Sequence, residues 1–71
     1  MSKEVRIPFD EATDEQLRCA ASVYGCDEAF IHSCEDGKGN LTSAGRQILI
    51  TELLLCDCKE IVVRGGFTTA E

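Results

Sequence analysis

Basic residues are scarce in this chain of 71 residues, where seven lysines and arginines stand against thirteen acids for a net charge of −6. The shortage is concentrated in one stretch. Between positions 10 and 36, the acids Asp10, Glu11, Asp14, Glu15, Asp27, Glu28, Glu35 and Asp36 face the one base Arg18, eight against one, a local charge of −7. Direct nucleic-acid binding needs cations to neutralise phosphates, so this balance disfavours it and favours a partner protein with a basic surface. Histidine is scarcer still. With His32 alone, nucleophilic catalysis has a single candidate base that the sequence places beside no cysteine of another element, so a non-enzymatic role is expected. No apolar run reaches the roughly 18 residues of a membrane span. Met1-Ser2-Lys3-Glu4 leads directly into a strand pattern with no secretory signal, which predicts a cytoplasmic protein. Internal repeats and low-complexity tracts are absent from the sequence.

What is present points to a folded chain. Apolar residues make up 44% of it, enough for a core, although one domain of this size is marginal as a monomer. Five cysteines (Cys19, Cys26, Cys34, Cys56 and Cys58) form an odd set. Buried free thiols in a reducing compartment account for them, with a redox pair or disulfide at Cys56 and Cys58 as the alternative. His32-Ser33-Cys34 and Cys56-Asp57-Cys58 offer four zinc-type ligands, but each pair has one intervening residue where structural zinc sites usually have about two to four. Residues 34 to 45 superficially resemble a calcium-binding EF-hand loop. Cys34 stands in place of its first aspartate, Lys38 at its fifth position and Gly45 in place of its closing glutamate, so a plain turn between helices is expected. Gly37-Lys38-Gly39 lacks the spacing and the Lys-Ser/Thr ending of a phosphate loop. The expectation is no metal and no cofactor.

Along the chain, Glu4 to Phe9 alternates, placing Val5, Ile7 and Phe9 on one face of a strand and Glu4, Arg6 and Pro8 on the other. Pro8 puts its end of that strand at an edge. Thr13-Asp14-Glu15-Gln16 fits a capping box, and Leu17, Ala20, Ala21 and Tyr24 then recur at helical spacing up to the terminator Gly25. Asp27 opens a shorter helix whose inner face carries Phe30, Ile31 and Cys34, with His32 exposed opposite. Glu35 to Asn40 reads as a flexible turn. A third helix runs from Leu41 to Cys56, capped by Asn40 or Thr42. The β-branched run from Lys59 to Arg64 is a strand closed by Gly65-Gly66, after which Phe67 adds an apolar contact. The expected fold is α+β, a small and mostly helical domain in the order strand, helix, helix, helix, strand.

The third helix carries more apolar surface than one chain can cover. At about 100° per residue, Leu41, Ala44, Ile48 and Leu55 share one face, Leu49 and Leu53 a second, and Ile50 and Leu54 a third. A homodimer built on Ile48, Ile50, Leu53, Leu54 and Leu55, or a partner-binding surface there, is therefore expected, with the terminal strands pairing either within one chain or across the dimer. The paired acids have two readings that can both hold. Asp14-Glu15 and Asp27-Glu28 sit in first turns, where carboxylates stabilise a helix dipole, and carboxylates spread over a surface can also imitate the phosphate rows of nucleic acid.

Val5-Arg6-Ile7-Pro8, Leu17, Ala20-Ala21 and Tyr24-Gly25-Cys26-Asp27-Glu28-Ala29-Phe30-Ile31 resemble the ribbon-helix-helix family. That resemblance implies an intertwined dimer whose paired N-terminal strands enter the DNA major groove, with Arg6 as the one base-contact residue. The chain departs from the pattern in having only Arg6 as a base on the outward strand face and in continuing into a further helix and strand. In size and acidity the whole chain is similar to small phage-encoded inhibitors such as anti-CRISPR proteins, several of which block a nucleic-acid-binding site on their target. The resulting expectation is an acidic DNA-mimicking inhibitor of a host protein such as a CRISPR effector, with a dimeric DNA-binding regulator as the alternative.

Overall fold

The computed structural model describes residues 3–71 and has an α+β fold. Strand β1 (Glu4–Pro8) is followed by a 3-10 turn (Phe9–Glu11) and by helices α1 (Asp14–Val23), α2 (Glu28–Ser33) and α3 (Ser43–Leu55). Strands β2 (Glu60–Arg64) and β3 (Phe67–Ala70) complete the chain, and the three strands form one antiparallel sheet in the order β1-β2-β3.

Two expectations about the strands need correction. The chain leaves β1 at Pro8, and Phe9 turns into the core through the 3-10 turn instead of extending the alternation. A third strand follows Gly65-Gly66, where a single apolar contact at Phe67 was expected. Both glycines have positive φ, 55° and 85°. This is what a two-residue hairpin loop requires of its central positions, and Phe67-Thr68-Thr69-Ala70 folds back on β2 with Arg64 opposite Phe67. The strands from the two ends of the chain pair within it, Val5 opposite Val63 and Ile7 opposite Ile61.

The helix starts are fixed by their caps. Thr13 Oγ1 accepts from the Gln16 amide while the Gln16 side chain accepts from the Thr13 amide, completing the capping box of α1. Thr42, rather than Asn40, caps α3 by accepting from the Gly45 amide. The core joins Leu17, Ala20 and Ala21 of α1, Ile31 of α2, and Leu49 and Leu53 of α3 to Ile61 and Ala70 of the sheet. Gly45 is buried because α3 passes directly over the Cys34 carbonyl, where a β-carbon would overlap it.

The opposite sheet face is built differently. Val62 is fully buried there, beneath a lattice of ion pairs in which Arg6 meets Glu4, Glu60 and Glu71 while Arg64 meets Glu4 and Glu71 at 2.5–3.3 Å. Arginine stems cover apolar surface while their heads stay wet, which accounts for a buried valine on a charged face.

Candidate functional site

The eight acids expected to form one surface divide into two groups. Asp14 is directed inward: Oδ1 accepts from Arg46 at 2.9 Å and Oδ2 from the Leu41 amide at 3.1 Å, joining the start of α1 to α3. The Arg46 guanidinium holds its carboxyl below the usual range, with the Leu41 amide assisting. Glu35 is also committed internally, receiving Arg18 at 3.0 Å and lying 2.7 Å from His32 Nδ1. Asp36 accepts from the amides of Lys38 and Asn40 and shapes the turn. Asp14 and Glu35 are half-buried in ion pairs with arginines, a correction to their place in the expected acidic face, whereas Asp36 shapes the turn and stays exposed.

The other five point outward. Asp10, Glu11, Glu15, Asp27 and Glu28 are exposed, and among the described residues only Glu28 of these comes near a basic side chain, His32 at 3.8 Å. They form two groups, Asp10, Glu11 and Glu15 at the start of α1 and Asp27 and Glu28 beyond its end. The ten-residue helix between them is about 15 Å long. Asp27 stands at the N-cap position of α2 but makes no side-chain cap hydrogen bond. Its carboxylate is left to solvent.

The apolar surface of α3 is smaller than its sequence suggests. Leu53, expected at a dimer contact, is fully buried in the chain's own core, and Ile50 is partly buried against that core. Leu49 and Leu53, one of the two-residue faces in the sequence pattern, are the ones buried in the core. Ile48, Leu54 and Leu55 remain exposed at 45%, 51% and 74%. Ala44, Gln47, Ile48 and Thr51 line a shallow groove of about 350 Å³ along the same helix.

A second groove, about 720 Å³, passes Arg18, Cys19, Ser22, Glu28 and His32 between α1 and α2. His32 is exposed, as expected, but it is tied to Glu35, whose hydrogen bond and charge push the imidazole pKa up. The Arg18–Glu35 link spans 17 residues and has no local signature in the sequence. The His32–Glu35 pair lies at helical i,i+3 spacing and could have been anticipated.

The cysteines are all unbonded, Cys34 and Cys58 buried but Cys19 and Cys56 exposed, so burial accounts for only part of the set. Burial pushes the Cys26 thiol up. Among the described residues, no three histidine, cysteine or acidic side chains gather in an arrangement that could hold a metal ion. Nor is any helix among them long and apolar enough to cross a membrane. Comparison with protein-family models, with curated proteins and with solved structures finds no match for this chain.

Proposed function

We infer that this chain is a small acidic protein-interaction module, an inhibitor encoded by a phage or other mobile element, that covers a basic nucleic-acid-binding surface on a host protein such as a CRISPR effector. The observation carrying this reading is the set Asp10, Glu11, Glu15, Asp27 and Glu28, exposed carboxylates almost wholly without cationic partners among the described residues. Carboxylates already held by arginines have spent their attraction, whereas these five retain theirs for a partner. The role is binding rather than catalysis. Unbonded thiols suit the reducing cytoplasm. The exposed side chains Ile48, Leu54 and Leu55 favour a homodimer through α3.

The alternative, a ribbon-helix-helix-like regulator reading DNA through Arg6, has less support. Arg6 is engaged by Glu4, Glu60 and Glu71, and β1 pairs with β2 of the same chain. A gel shift at low salt with retention of duplex DNA would favour the regulator.

Charge reversal tests the inhibitor. Asp10→Lys, Glu11→Lys and Glu15→Lys together should abolish target binding yet shift stability by only about 0.5 kcal/mol per site. Wild-type binding should weaken as salt rises, because attraction between exposed charges is screened over roughly 8–10 Å. A triple variant that binds the isolated target as tightly as wild type, with the same salt dependence, would sink the reading.

A further inference from the structure

The sheet has two outer strands, and they are not equally protected. Glu60 and Glu71 exchange backbone hydrogen bonds, at 3.1 Å and 3.0 Å. Antiparallel pairing then alternates, so Phe67, Thr69 and Glu71 direct their amides and carbonyls toward β2, while Thr68 and Ala70 direct theirs to the open edge. An independent contact agrees with this assignment: the Tyr24 hydroxyl reaches that edge and donates to the Ala70 carbonyl at 2.6 Å. Tyr24 thereby closes one end. The amide and carbonyl of Thr68 remain, facing a groove of about 530 Å³ whose other wall is α1, with Glu15, Gln16, Cys19 and Val23 along it.

The same alternation sends Glu4, Arg6 and Pro8 to the open edge of β1. There Pro8 has no N–H, and Glu4 and Arg6 are held in the ion lattice, devices that blunt an edge against pairing. β3 carries neither a proline nor a charged side chain.

We propose that the groove between α1 and the open edge of β3 docks an extended segment of a partner protein, which joins the sheet as a fourth strand by antiparallel pairing with Thr68. The occupant's chemistry follows from the walls. Its residue opposite Thr68 shares that residue's face and meets Val23, exposed at 47%, so it is apolar. α1 runs alongside β3, with Tyr24 at the Ala70 end and Thr13 and Glu15 at the Gly66 end. The occupant residue two positions further toward its C-terminus is on the same face and lies beside the Gly65-Gly66 turn, past the end of β3, where a lysine or arginine faces Glu15. Glu15 is exposed and no basic side chain lines the groove. Strand addition of this kind takes affinity from main-chain hydrogen bonds and selectivity from alternate side chains. Charge complementarity therefore favours a basic segment of another protein over a second copy of this acidic chain. The proposal rests on the interaction-module reading and names the form of segment it takes.

The probe is a blocked hexapeptide, acetyl-Thr-Val-Thr-Val-Thr-Lys-amide, whose second valine would pair with Thr68. With the full chain labelled for NMR, saturating peptide should shift the Thr68 and Ala70 amides and slow hydrogen exchange at Thr68. N-methylating the second valine removes its donor and should weaken binding roughly tenfold. Exchanging the peptide lysine for glutamate should weaken it roughly threefold, and Glu15→Lys should reverse that preference. Absence of protection at Thr68 at millimolar peptide, or equal binding of the N-methylated peptide, would overturn the proposal. Protection of Thr68 that rises with protein concentration in the absence of peptide would make a second copy the occupant and also overturn it. Loss of strand docking with salt-sensitive target binding through Asp10 and Glu11 intact would remove this proposal and leave the inhibitor reading standing.

Discussion

Asp14 and Glu15 are adjacent carboxylates in one helical turn, and their fates differ because consecutive helix positions diverge by about 100°. That step turns Asp14 toward the Leu41 amide and Arg46 and leaves Glu15 in solvent. Sequence showed two first-turn acids, but a partner 27 or 32 residues away has no local signature. Asp14→Ala would leave the amide of the buried Leu41 without an acceptor and should cost about 1–3 kcal/mol in urea denaturation, against about 0.5 kcal/mol for Glu15→Ala. The Asp14 pKa is lower in the folded chain than its ordinary 3.8. Its contribution is therefore complete above that value and is lost as pH falls through the lower folded one, so the Asp14→Ala deficit should shrink in acid. His32 has the opposite sign. Glu35 raises its pKa above 6.5, so the pair's contribution is present below 6.5 and lost as pH rises through the folded value. An NMR titration should place the wild-type midpoint above 6.5 and move it downward in Glu35→Gln. A midpoint unchanged by that substitution would mean the contact is not formed.

At the scale of elements, the three helices and the two longer strands were legible, because capping boxes, apolar spacing and β-branched runs are local signals. The capping box at Thr13 and the left-handed Gly25, with φ 88°, stand where sequence placed them. β3 was missed for a physical reason. Phe67-Thr68-Thr69-Ala70 is short and only half apolar, and the signal for it lies in the preceding Gly65-Gly66 as a hairpin loop, not in the strand. Gly45 was legible only as a glycine inside a helix, where it weakens propensity. Its reason is the crossing of α3 over the Cys34 carbonyl. Gly45→Ala should therefore destabilise by about 3 kcal/mol despite alanine's better helix propensity, since overlap with backbone cannot be relieved by a rotamer change. Gly37 has open space around it, so Gly37→Ala should stay within about 0.5 kcal/mol. Equal melting temperatures for the two variants would show that α3 does not pack on Cys34 so closely.

For the whole molecule, apolar association and acidic recognition make opposite demands on salt, and this separates them. Each chain carries −6, so bringing two together at low ionic strength works against repulsion that salt relieves, and sulfate additionally strengthens apolar burial. Dimerisation through α3 should tighten as sulfate rises, while target binding through Asp10, Glu11 and Glu15 should weaken. The substitutions must respect what the fold has already used. Leu53→Asp would place a charge in the core and unfold the chain, and Ile50 is partly committed there, so neither isolates the interface. Ile48 and Leu55 stand clear of the core at 45% and 74% exposure. Full burial of a leucine contributes about 1.5–3 kcal/mol, and in a symmetric contact each substitution removes two such side chains. Ile48→Asp or Leu55→Asp should therefore abolish the dimer in sedimentation while the unfolding free energy of the monomer in urea stays within about 0.5 kcal/mol of wild type. A wild-type chain that sediments as a monomer at micromolar concentration in high sulfate would refute the α3 dimer. The exposed stripe of Ile48, Leu54 and Leu55 would then be surface offered to the target itself, and Leu55→Asp should weaken target binding without altering its salt dependence.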